Sequence, residues 1–211
     1  RGLGDVYKRQ IQGDIKNPQG NIDLGSTIVT LPSKDFVKVT GKVSVKGDKI
    51  NIDGINLDNN LITGQYNIKD KKLDLKASLS EKHLEKYYGG KDLGYILYGQ
   101  VDVKGVAGKI KAIAKGRATN FEKNLPDLAY DIEYNADNYS DGVASIKDLD
   151  IIDRKYGDIL GLTGEVNLNE KTLDIKNKHK QIDLAKLQNI LSNPDIRGIV
   201  NTDLTINGAI D

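Results

Sequence analysis

Short stretches in which apolar and polar residues alternate dominate this chain. Side chains of a β-strand point in turn to the two faces of its sheet, so each stretch predicts a strand with one apolar and one polar side. The clearest examples are Val43-Ser44-Val45, Ile50-Asn51-Ile52, Ile55-Asn56-Leu57, Leu73-Asp74-Leu75, Val101-Asp102-Val103, Val166-Asn167-Leu168 and Leu204-Thr205-Ile206.

Pairs of turn-forming residues separate these strands and predict hairpins between them. The pairs are Gly47-Asp48, Asp53-Gly54, Asn59-Asn60, Lys69-Asp70, Asp141-Gly142 and Asn169-Glu170. Only four Pro residues occur in the chain. A ladder-rich fold requires this scarcity, because proline has no amide hydrogen to donate. The pattern therefore predicts a mostly β, antiparallel fold.

Two segments depart from the alternation, with apolar residues three or four positions apart. They cover residues 80–88 and 183–191, and Ser80 and Asp183 are suitable N-caps for them. We predict a helix of two to three turns in each segment. Helices this short are marginal alone, so both are expected to pack against the sheet.

An internal repeat is the most informative feature. Residues 61–76 align with residues 161–176 at a shift of 100, and Thr63, Gly64, Asn67 and Asp74 are among the residues that recur. Such repetition is typical of quasi-linear arrays in which each unit covers only its neighbours. A shared bias towards Lys, Asn, Asp, Ile and Leu is the alternative explanation.

The repeat predicts two β-repeat units, residues 11–105 and residues 106–211. The first ten residues, RGLGDVYKRQ, resemble a translated sequencing-adaptor tail, so residues 1–10 are set apart from the fold prediction. The chain contains no Met, which indicates an internal piece of a longer protein. Any targeting signal or membrane anchor is expected to lie upstream.

Composition excludes several classes of function. The 31 basic and 30 acidic side chains are interspersed along the chain. They form no basic stripe of the kind that drives nucleic-acid binding, so no nucleic-acid partner is predicted. The absence of Cys excludes disulfides and thiolate chemistry.

The apolar side of such a sheet must be covered by another layer or curl into a trough that holds something apolar. Aromatic residues make up only 6% of the chain, whereas large rings usually fill a sandwich core. An ordinary core and an aliphatic trough both remain open. The residues predicted to line the trough are Val43, Val45, Ile50, Ile52, Ile55, Leu57, Leu73, Leu75, Val101, Val103, Ile110, Val166, Leu168, Leu173, Ile175, Leu204 and Ile206.

No pattern predicts catalysis, a metal site or a cofactor, so the chain is not expected to be an enzyme. His83 and His179 are predicted to be surface residues. Asp148, Asp150 and Asp153 form an acidic cluster that lacks the Gly and Glu of a calcium loop. Nucleotide-loop and nucleophile-elbow sequences are absent.

Four tyrosines lie close together in the sequence, at positions 87, 88, 95 and 98. They could form a platform for a carbohydrate, or they could simply straddle the edge of the sheet. A glycan-acting enzyme on this scaffold would also need converging carboxylates, which the sequence does not predict.

Four features of the sequence recur together: the apolar-x-apolar-x-Gly strands, the turn and strand at 72–75, the segment 182–187 followed by Gly198, and the opening at 13–24. Through them the chain resembles the AsmA-like and TamB (translocation and assembly module B) proteins. The resemblance covers nearly all of residues 11–211 and is a likeness of pattern. No catalytic signature anchors it.

The resemblance implies a long sheet rolled into a taco-like apolar trough that spans the periplasm from an inner-membrane anchor. It also implies phospholipid as cargo and an outer-membrane barrel protein as partner in envelope assembly. The anchor segment is expected to lie outside this chain. A surface adhesin or passenger-type β-solenoid is the alternative, and it would predict coils of about 20–30 residues.

Overall fold

The computed structural model describes residues 8–12, 17–30, 36–82, 94–106, 108–120, 125–138 and 141–210. Over these ranges the chain is mostly β, and a short 3-10 helix, Leu184–Leu187, is the only helical element. Every strand pair of defined register is antiparallel. The prediction of a mostly β, antiparallel fold is therefore confirmed.

The chain divides into two compact units, residues 1–92 with 100–107 and residues 93–99 with 108–211. In the first unit, hydrogen bonds join neighbouring strands in the order β1, β2, β4, β5, β6, β7, and β3 pairs with β4 beside this path. The strands are β1 (Lys8–Gln12), β2 (Gln19–Asp23), β3 (Thr27–Thr30), β4 (Phe36–Lys46), β5 (Lys49–Leu57), β6 (Asn60–Asn67), β7 (Lys72–Lys82) and the second half of β8 (Ile96–Val106).

The second unit continues with the same kind of meander, in the order β9, β10, β11, β12, β13, β16. Strands β14 and β15 form a separate two-stranded sheet between β13 and β16. The strands are β9 (Lys109–Thr119), β10 (Asp127–Ala136), β11 (Gly142–Asp153), β12 (Gly157–Asn167), β13 (Thr172–Asn177), β14 (Gln181–Asp183), β15 (Ile199–Asn201) and β16 (Thr205–Ala209). A β-helix solenoid stacks its coils through parallel strand pairs. The strands of this unit instead pair antiparallel with their neighbours along the path.

The two copies of the sequence repeat fold into matching hairpins, β6–β7 and β12–β13. Gly64 pairs with Leu75 in the first hairpin, and Gly164 pairs with Ile175 in the second. Each hairpin turn contains a lysine with a positive φ, at 56° for Lys71 and 52° for Lys171. The two copies of the sequence repeat therefore pair their strands in the same register.

Asn67 and Asn167 stabilise the same two turns. Asn67 Oδ1 accepts a hydrogen bond of 3.0 Å from the Asp70 amide. Asn167 Oδ1 accepts bonds of 3.0 and 3.1 Å from the amides of Asn169 and Glu170. Asparagine recurs here because its short carboxamide can bond to the backbone two or three residues ahead.

The structure corrects the start of the first predicted helix and most of the second. Ser80, the expected N-cap of the first, lies inside strand β7, and its amide donates to Asn60 Oδ1 at 2.7 Å. The remainder of that segment, residues 83–88, lies outside the described residues. In the second segment only the single 3-10 turn forms, although Asp183 caps it as expected by accepting from the Ala185 amide at 2.9 Å.

One predicted turn is also wrong. Asp53-Gly54 lies inside the continuous strand β5, where the register with β6 shifts between Ile52 and Ile55. The pair therefore forms a β-bulge, which inserts residues into one strand without ending it. Lys8 to Gln10, which were set apart from the fold prediction, belong to strand β1.

Candidate functional site

Apolar residues on neighbouring strands of the first unit lie directly opposite one another. Val43 of β4 pairs with Ile22 of β2 and with Ile52 of β5. Val45 pairs with Ile50 in the same way. Because directly paired residues project from the same face of a sheet, these side chains form one continuous apolar face.

The bulge in β5 keeps this face continuous along the strand. Ile52 and Ile55 are three positions apart and would point to opposite faces of a regular strand. With Asp53-Gly54 as the bulge, Ile52 pairs with Gly64 and Ile55 pairs with Ile62. Since Gly64 and Ile62 share a face of β6, the bulge returns Ile55 to the apolar side.

Strands β7 and β8 extend the face. Leu73 of β7 pairs with Tyr66 of β6 on the apolar side. On the opposite side, Lys104 of β8 forms an ion pair of 3.4 Å with Asp74. Because successive side chains alternate between faces, this contact places Val103 on the apolar face.

The second unit builds an apolar face by the same rule. Its cross-strand rows run from β9 to β16, for example from Ile146 through Gly164 and Ile175 to Ile206. The alternation of Tyr130, Ile132 and Tyr134 on β10 was visible in the sequence, but these residues were missing from the predicted lining. The larger members of this face are Ile110, Leu128, Tyr130, Ile132, Tyr134, Ile146, Leu149, Ile151, Leu160, Leu162, Val166, Leu173, Ile175 and Ile206.

Both apolar faces are only partly covered. Among the described residues, the buried hydrophobic side chains are Val37, Ala118, Ala136 and Ile159. Of the predicted lining residues, Leu168, Leu204 and Ile206 are exposed at 45%, 38% and 46%, and all the others are half-buried.

A second layer is missing over the described ranges. The elements that pack on the sheets outside their own ladders are the 3-10 helix and β14, which contact β12. A residue in a packed core is normally buried on all sides, with contacts to 6–12 other residues. The described residues therefore leave these rows only partly covered.

Glycines on these faces bring neighbouring backbones unusually close. A Cβ atom added to Gly64 would lie 2.1 Å from the Asp74 carbonyl oxygen, and one added to Gly164 would lie 2.1 Å from that of Asp174. Their φ angles are +141° and +155°, which L residues with a side chain rarely adopt. Only glycine fits at either position.

Tyr130 covers another such close approach in the second unit. Its hydroxyl donates a hydrogen bond of 3.0 Å to the Tyr98 carbonyl oxygen. Cβ atoms on Gly99 and Gly116 would lie 2.8 and 2.7 Å from that hydroxyl. The phenol thus lies across both glycines, and burial raises the pKa of Tyr130. Because the hydroxyl is hydrogen-bonded to the backbone, the ring of Tyr130 adds to the apolar face without leaving an unpaired polar group there.

The opposite face of the second unit carries ion pairs. Lys115 lies 2.7 Å from Asp131, and Lys111 lies 2.8 Å from Glu133. Hydrogen bonds from Asn135 and Lys111 lower the pKa of Glu133. One face of the sheet is therefore charged while the other is apolar.

The acidic cluster separates into two different environments. Lys178 bonds Asp148 at 2.6 Å and Asp150 at 3.3 Å, and its hydrogen bond lowers the pKa of Asp148. Asp153 is buried and accepts from the amides of Lys155 and Tyr156 at 2.8 and 2.9 Å. No group of three or more metal-ligating side chains occurs in the described part of the chain.

The remaining candidate residues have local roles. His179 is exposed, and its carbonyl oxygen accepts from Asn177 Nδ2 at 2.7 Å. The Tyr95 hydroxyl donates to the Pro126 carbonyl oxygen at 2.9 Å, and burial raises the pKa of Tyr95. His83 and the tyrosines at 87 and 88 lie outside the described residues.

The fold and site define a class of protein: an antiparallel meander with one polar face and one apolar face that is only partly covered. Within the described ranges, no helix has the length and hydropathy to cross a bilayer. Comparison with protein-family models, curated proteins and solved structures finds no match for this chain. Its function must be argued from the faces themselves.

Proposed function

We propose that the apolar faces are open troughs that hold the acyl chains of phospholipids, in a protein of the AsmA-like and TamB kind. In this proposal the chain is part of a periplasmic conduit, and it moves lipid by solvation and not by catalysis. The polar faces point to water, and an outer-membrane barrel protein is the partner that the sequence resemblance implies.

The partly exposed aliphatic rows carry this proposal. Contiguous exposed apolar surface on a protein marks a site for lipid, ligand or partner. About fifteen methylenes of an acyl chain left in water would cost on the order of 12 kcal/mol at ~0.8 kcal/mol each. An unbroken aliphatic lining lowers that cost along the whole path, and the rows through Val43 and Ile146 supply such a lining.

The bulges and crowded glycines support a curved sheet. Bulges bend a strand, and glycine kinks let a sheet curl without steric conflict. The register shifts at Ile52/Ile55 in the first unit and at Ile146/Leu149 in the second. Gly64 and Gly164 add close backbone contacts at corresponding positions. A taco-like trough would use these features.

Strand length is also sufficient. Strand β4 has 11 residues and is about 36 Å long at ~3.3 Å per residue. The hydrocarbon of one leaflet is about 15 Å deep, half of a ~30 Å core. A sheet this wide can therefore curl around an acyl chain.

A pair of adjacent substitutions tests the proposal. Val43→Glu places a charge on the apolar face, whereas Ser44→Glu places the same charge on the polar face. Lipid transfer is measured with a fluorescent phospholipid exchanged between donor and acceptor liposomes. We expect Val43→Glu to reduce the transfer rate at least tenfold, because a carboxylate is costly to desolvate beside an acyl chain.

Ser44→Glu should transfer lipid at the original rate. Val103→Glu and Leu168→Glu repeat the test on β8 and at the end of β12. Circular dichroism and urea unfolding establish whether each variant is folded. Equal transfer by the Val43 and Ser44 variants, with both folded, would contradict the proposal, and so would unfolding of every apolar-face variant.

Lipid contact is measured directly by placing a photo-crosslinking amino acid at Val103 and at the polar-face residue Lys76. We expect crosslinks to phospholipid from Val103 only. Crosslinks of equal yield from Lys76 would show that lipid adsorbs to the surface without choosing a face.

A further inference from the structure

A groove of about 490 Å³ lies on the polar side of the first unit, where β5, β6, β7 and the second half of β8 approach their turns. Its polar lining consists of Lys49, Gln65, Asn67, Lys72 and Asp74. Gln65 and Asp74 are paired on the face opposite the apolar trough, so the polar lining belongs to the polar face, and Leu73, Gly105 and Val106 complete the groove.

The groove has an excess of positive charge. Lys49 pairs across β4–β5 with a further lysine, Lys46. Like charges directly opposite each other in a sheet are destabilising. No carboxylate among the described residues lies within ion-pair distance of Lys46, Lys49 or Lys72, and Asp74 is engaged by Lys104 at 3.4 Å. An anion between Lys49 and Lys72 would offset this repulsion.

The second unit repeats the hairpin without these groove lysines. In the first unit Asn67 pairs with Lys49 on one side and Lys72 on the other. The corresponding residue Asn167 pairs with Val143 and Thr172, which are uncharged.

Two further positions also become less positive in the second unit. The lining residue Gln65 corresponds to Glu165, and Lys104, the ion-pair partner of Asp74, corresponds to Asn207 when β8 is aligned with β16 at a shift of 103. The turn asparagine, the crowded glycine and Asp74 recur in both hairpins. The hairpin therefore folds without the lysines, which leaves their presence in the first unit unexplained by the fold.

We propose that this groove binds a phosphate ester. The volume of about 490 Å³ lies within the 300–1,000 Å³ of small-molecule sites and exceeds the needs of a lone inorganic ion. Two ammonium groups suit a dianionic phosphate, because charge-assisted hydrogen bonds are about twice as strong as neutral ones. Asn67 lines the groove and its Oδ1 is occupied by the Asp70 amide, so its NH₂ group is the part that can donate to a ligand.

Two sources supply this chemistry, a soluble phosphate ester and the headgroup of a phospholipid. Val106 lines the groove and is 43% exposed, so the organic part of either ligand has an apolar contact. The groove lies on the face opposite the trough, and its occupancy is independent of acyl-chain transfer. Its test therefore stands whether or not the trough carries lipid.

The test uses the full chain and sn-glycerol 3-phosphate, titrated by calorimetry and by amide chemical shifts at constant ionic strength. We expect one site per chain, with shifts centred on residues 49, 67 and 72. The double variant Lys49→Gln/Lys72→Thr should bind at least tenfold more weakly. Lys38→Gln, an exposed lysine elsewhere on β4, is the matched control and should bind as the original chain does.

A graft provides the converse experiment. Val143→Lys, Glu165→Gln and Thr172→Lys together give the second hairpin the lining of the first. We expect the number of glycerol phosphate sites to rise from one to two. Binding that is unchanged in the Lys49/Lys72 variant, or that is lost equally in the Lys38 variant, would overturn the proposal.

Vesicles distinguish the two sources. Vesicles of phosphatidylcholine with phosphatidylglycerol are compared in a flotation assay with vesicles of phosphatidylcholine alone. Flotation with phosphatidylglycerol that glycerol phosphate displaces, and that the Lys49/Lys72 variant loses, assigns the groove to a lipid headgroup. Glycerol phosphate binding without flotation assigns it to a soluble ester.

Discussion

Two glycines show how single residues set the shape of the sheet. Gly164→Ala would place a methyl group 2.1 Å from the Asp174 carbonyl oxygen, so β13 would have to move away from β12. Overpacking of this kind typically costs about 1–3 kcal/mol, in addition to backbone strain at φ +155°. We expect the free energy of unfolding to fall by about 3 kcal/mol, measured by urea denaturation.

Gly208→Ala is the matched control for this substitution. Its φ is +159°, almost the same as that of Gly164, but nothing lies within 4 Å of the added methyl. It should therefore show the cost of strain alone, and Gly64→Ala should behave like Gly164→Ala. Equal losses at Gly164 and Gly208 would mean that the close backbone approach contributes nothing.

Replacing either of two turn lysines by glycine is expected to stabilise the fold, in contrast to the glycine substitutions above. Lys71 and Lys171 have φ values of 56° and 52°. A left-handed conformation costs a non-glycine residue roughly 1 kcal/mol, which glycine avoids. Lys71→Gly and Lys171→Gly should each raise the urea midpoint, and by similar amounts because the hairpins match. A rise in one hairpin only would contradict the structural equivalence of the repeat.

At the scale of elements, alternation predicted the strands and their faces but could not predict bulges. Asp53-Gly54 has the composition of a turn, and the choice of a bulge depends on pairing with both β4 and β6. Ser80 has the sequence context of a helix cap, yet the ladder and its bond to Asn60 extend β7 through it. In both places the conformation depends on pairing with strands that are distant in the sequence. A single sequence does not reveal that pairing.

The sequence likewise predicted some parts of the candidate site and not others. The apolar lining followed from periodicity, because side-chain direction in a strand depends only on position. The degree to which that lining is left uncovered did not follow, since the same alternation suits a packed core. Lys49 lies on β5 and Lys72 lies on β7, on either side of β6. Only the register of these strands shows that the two lysines flank Asn67.

The segment between β13 and β16 depends on a carboxylate. Asn189 Nδ2 donates to both oxygens of Asp153, at 3.2 and 3.1 Å. Burial raises the pKa of Asp153, but hydrogen bonds from the Tyr156 and Lys155 amides and from Asn189 outweigh it and hold the pKa below its usual value. A carboxyl with a lowered folded-state pKa stabilises the fold above its unfolded pKa, and that contribution is lost as the pH falls through the folded value.

Asp153→Asn should remove this pH-dependent contribution. We expect a lower free energy of unfolding at about pH 7 and a smaller further loss between about pH 5 and pH 3, since the unfolded pKa is near 3.9. Faster trypsin cleavage within residues 184–197 should accompany the change. Asp158→Asn, an exposed position at the start of β12, is the control. An unaltered pH profile in Asp153→Asn would rule out this anchoring role.

At the scale of the whole molecule, the sheet leaves rows of aliphatic side chains partly exposed when the chain is folded. A ligand that binds the folded state and not the unfolded chain stabilises by about 2.7 kcal/mol at a hundred times its dissociation constant. We therefore expect a monomeric lysophospholipid, kept below its micellar concentration, to raise the urea midpoint of the chain. The increase should grow with acyl length, because each added methylene contributes about 0.8 kcal/mol when fully buried.

Val43→Glu should reduce this stabilisation, and Ser44→Glu should retain it, since only the first places a carboxylate on the apolar face. If the lysophospholipid acted as a denaturing detergent, a longer acyl chain would lower the urea midpoint instead of raising it. Midpoints that fall with acyl length, or that respond equally in the two variants, would show that the aliphatic rows do not accommodate an acyl chain. The sign of one measurement thus separates a lipid trough from an unpacked sheet.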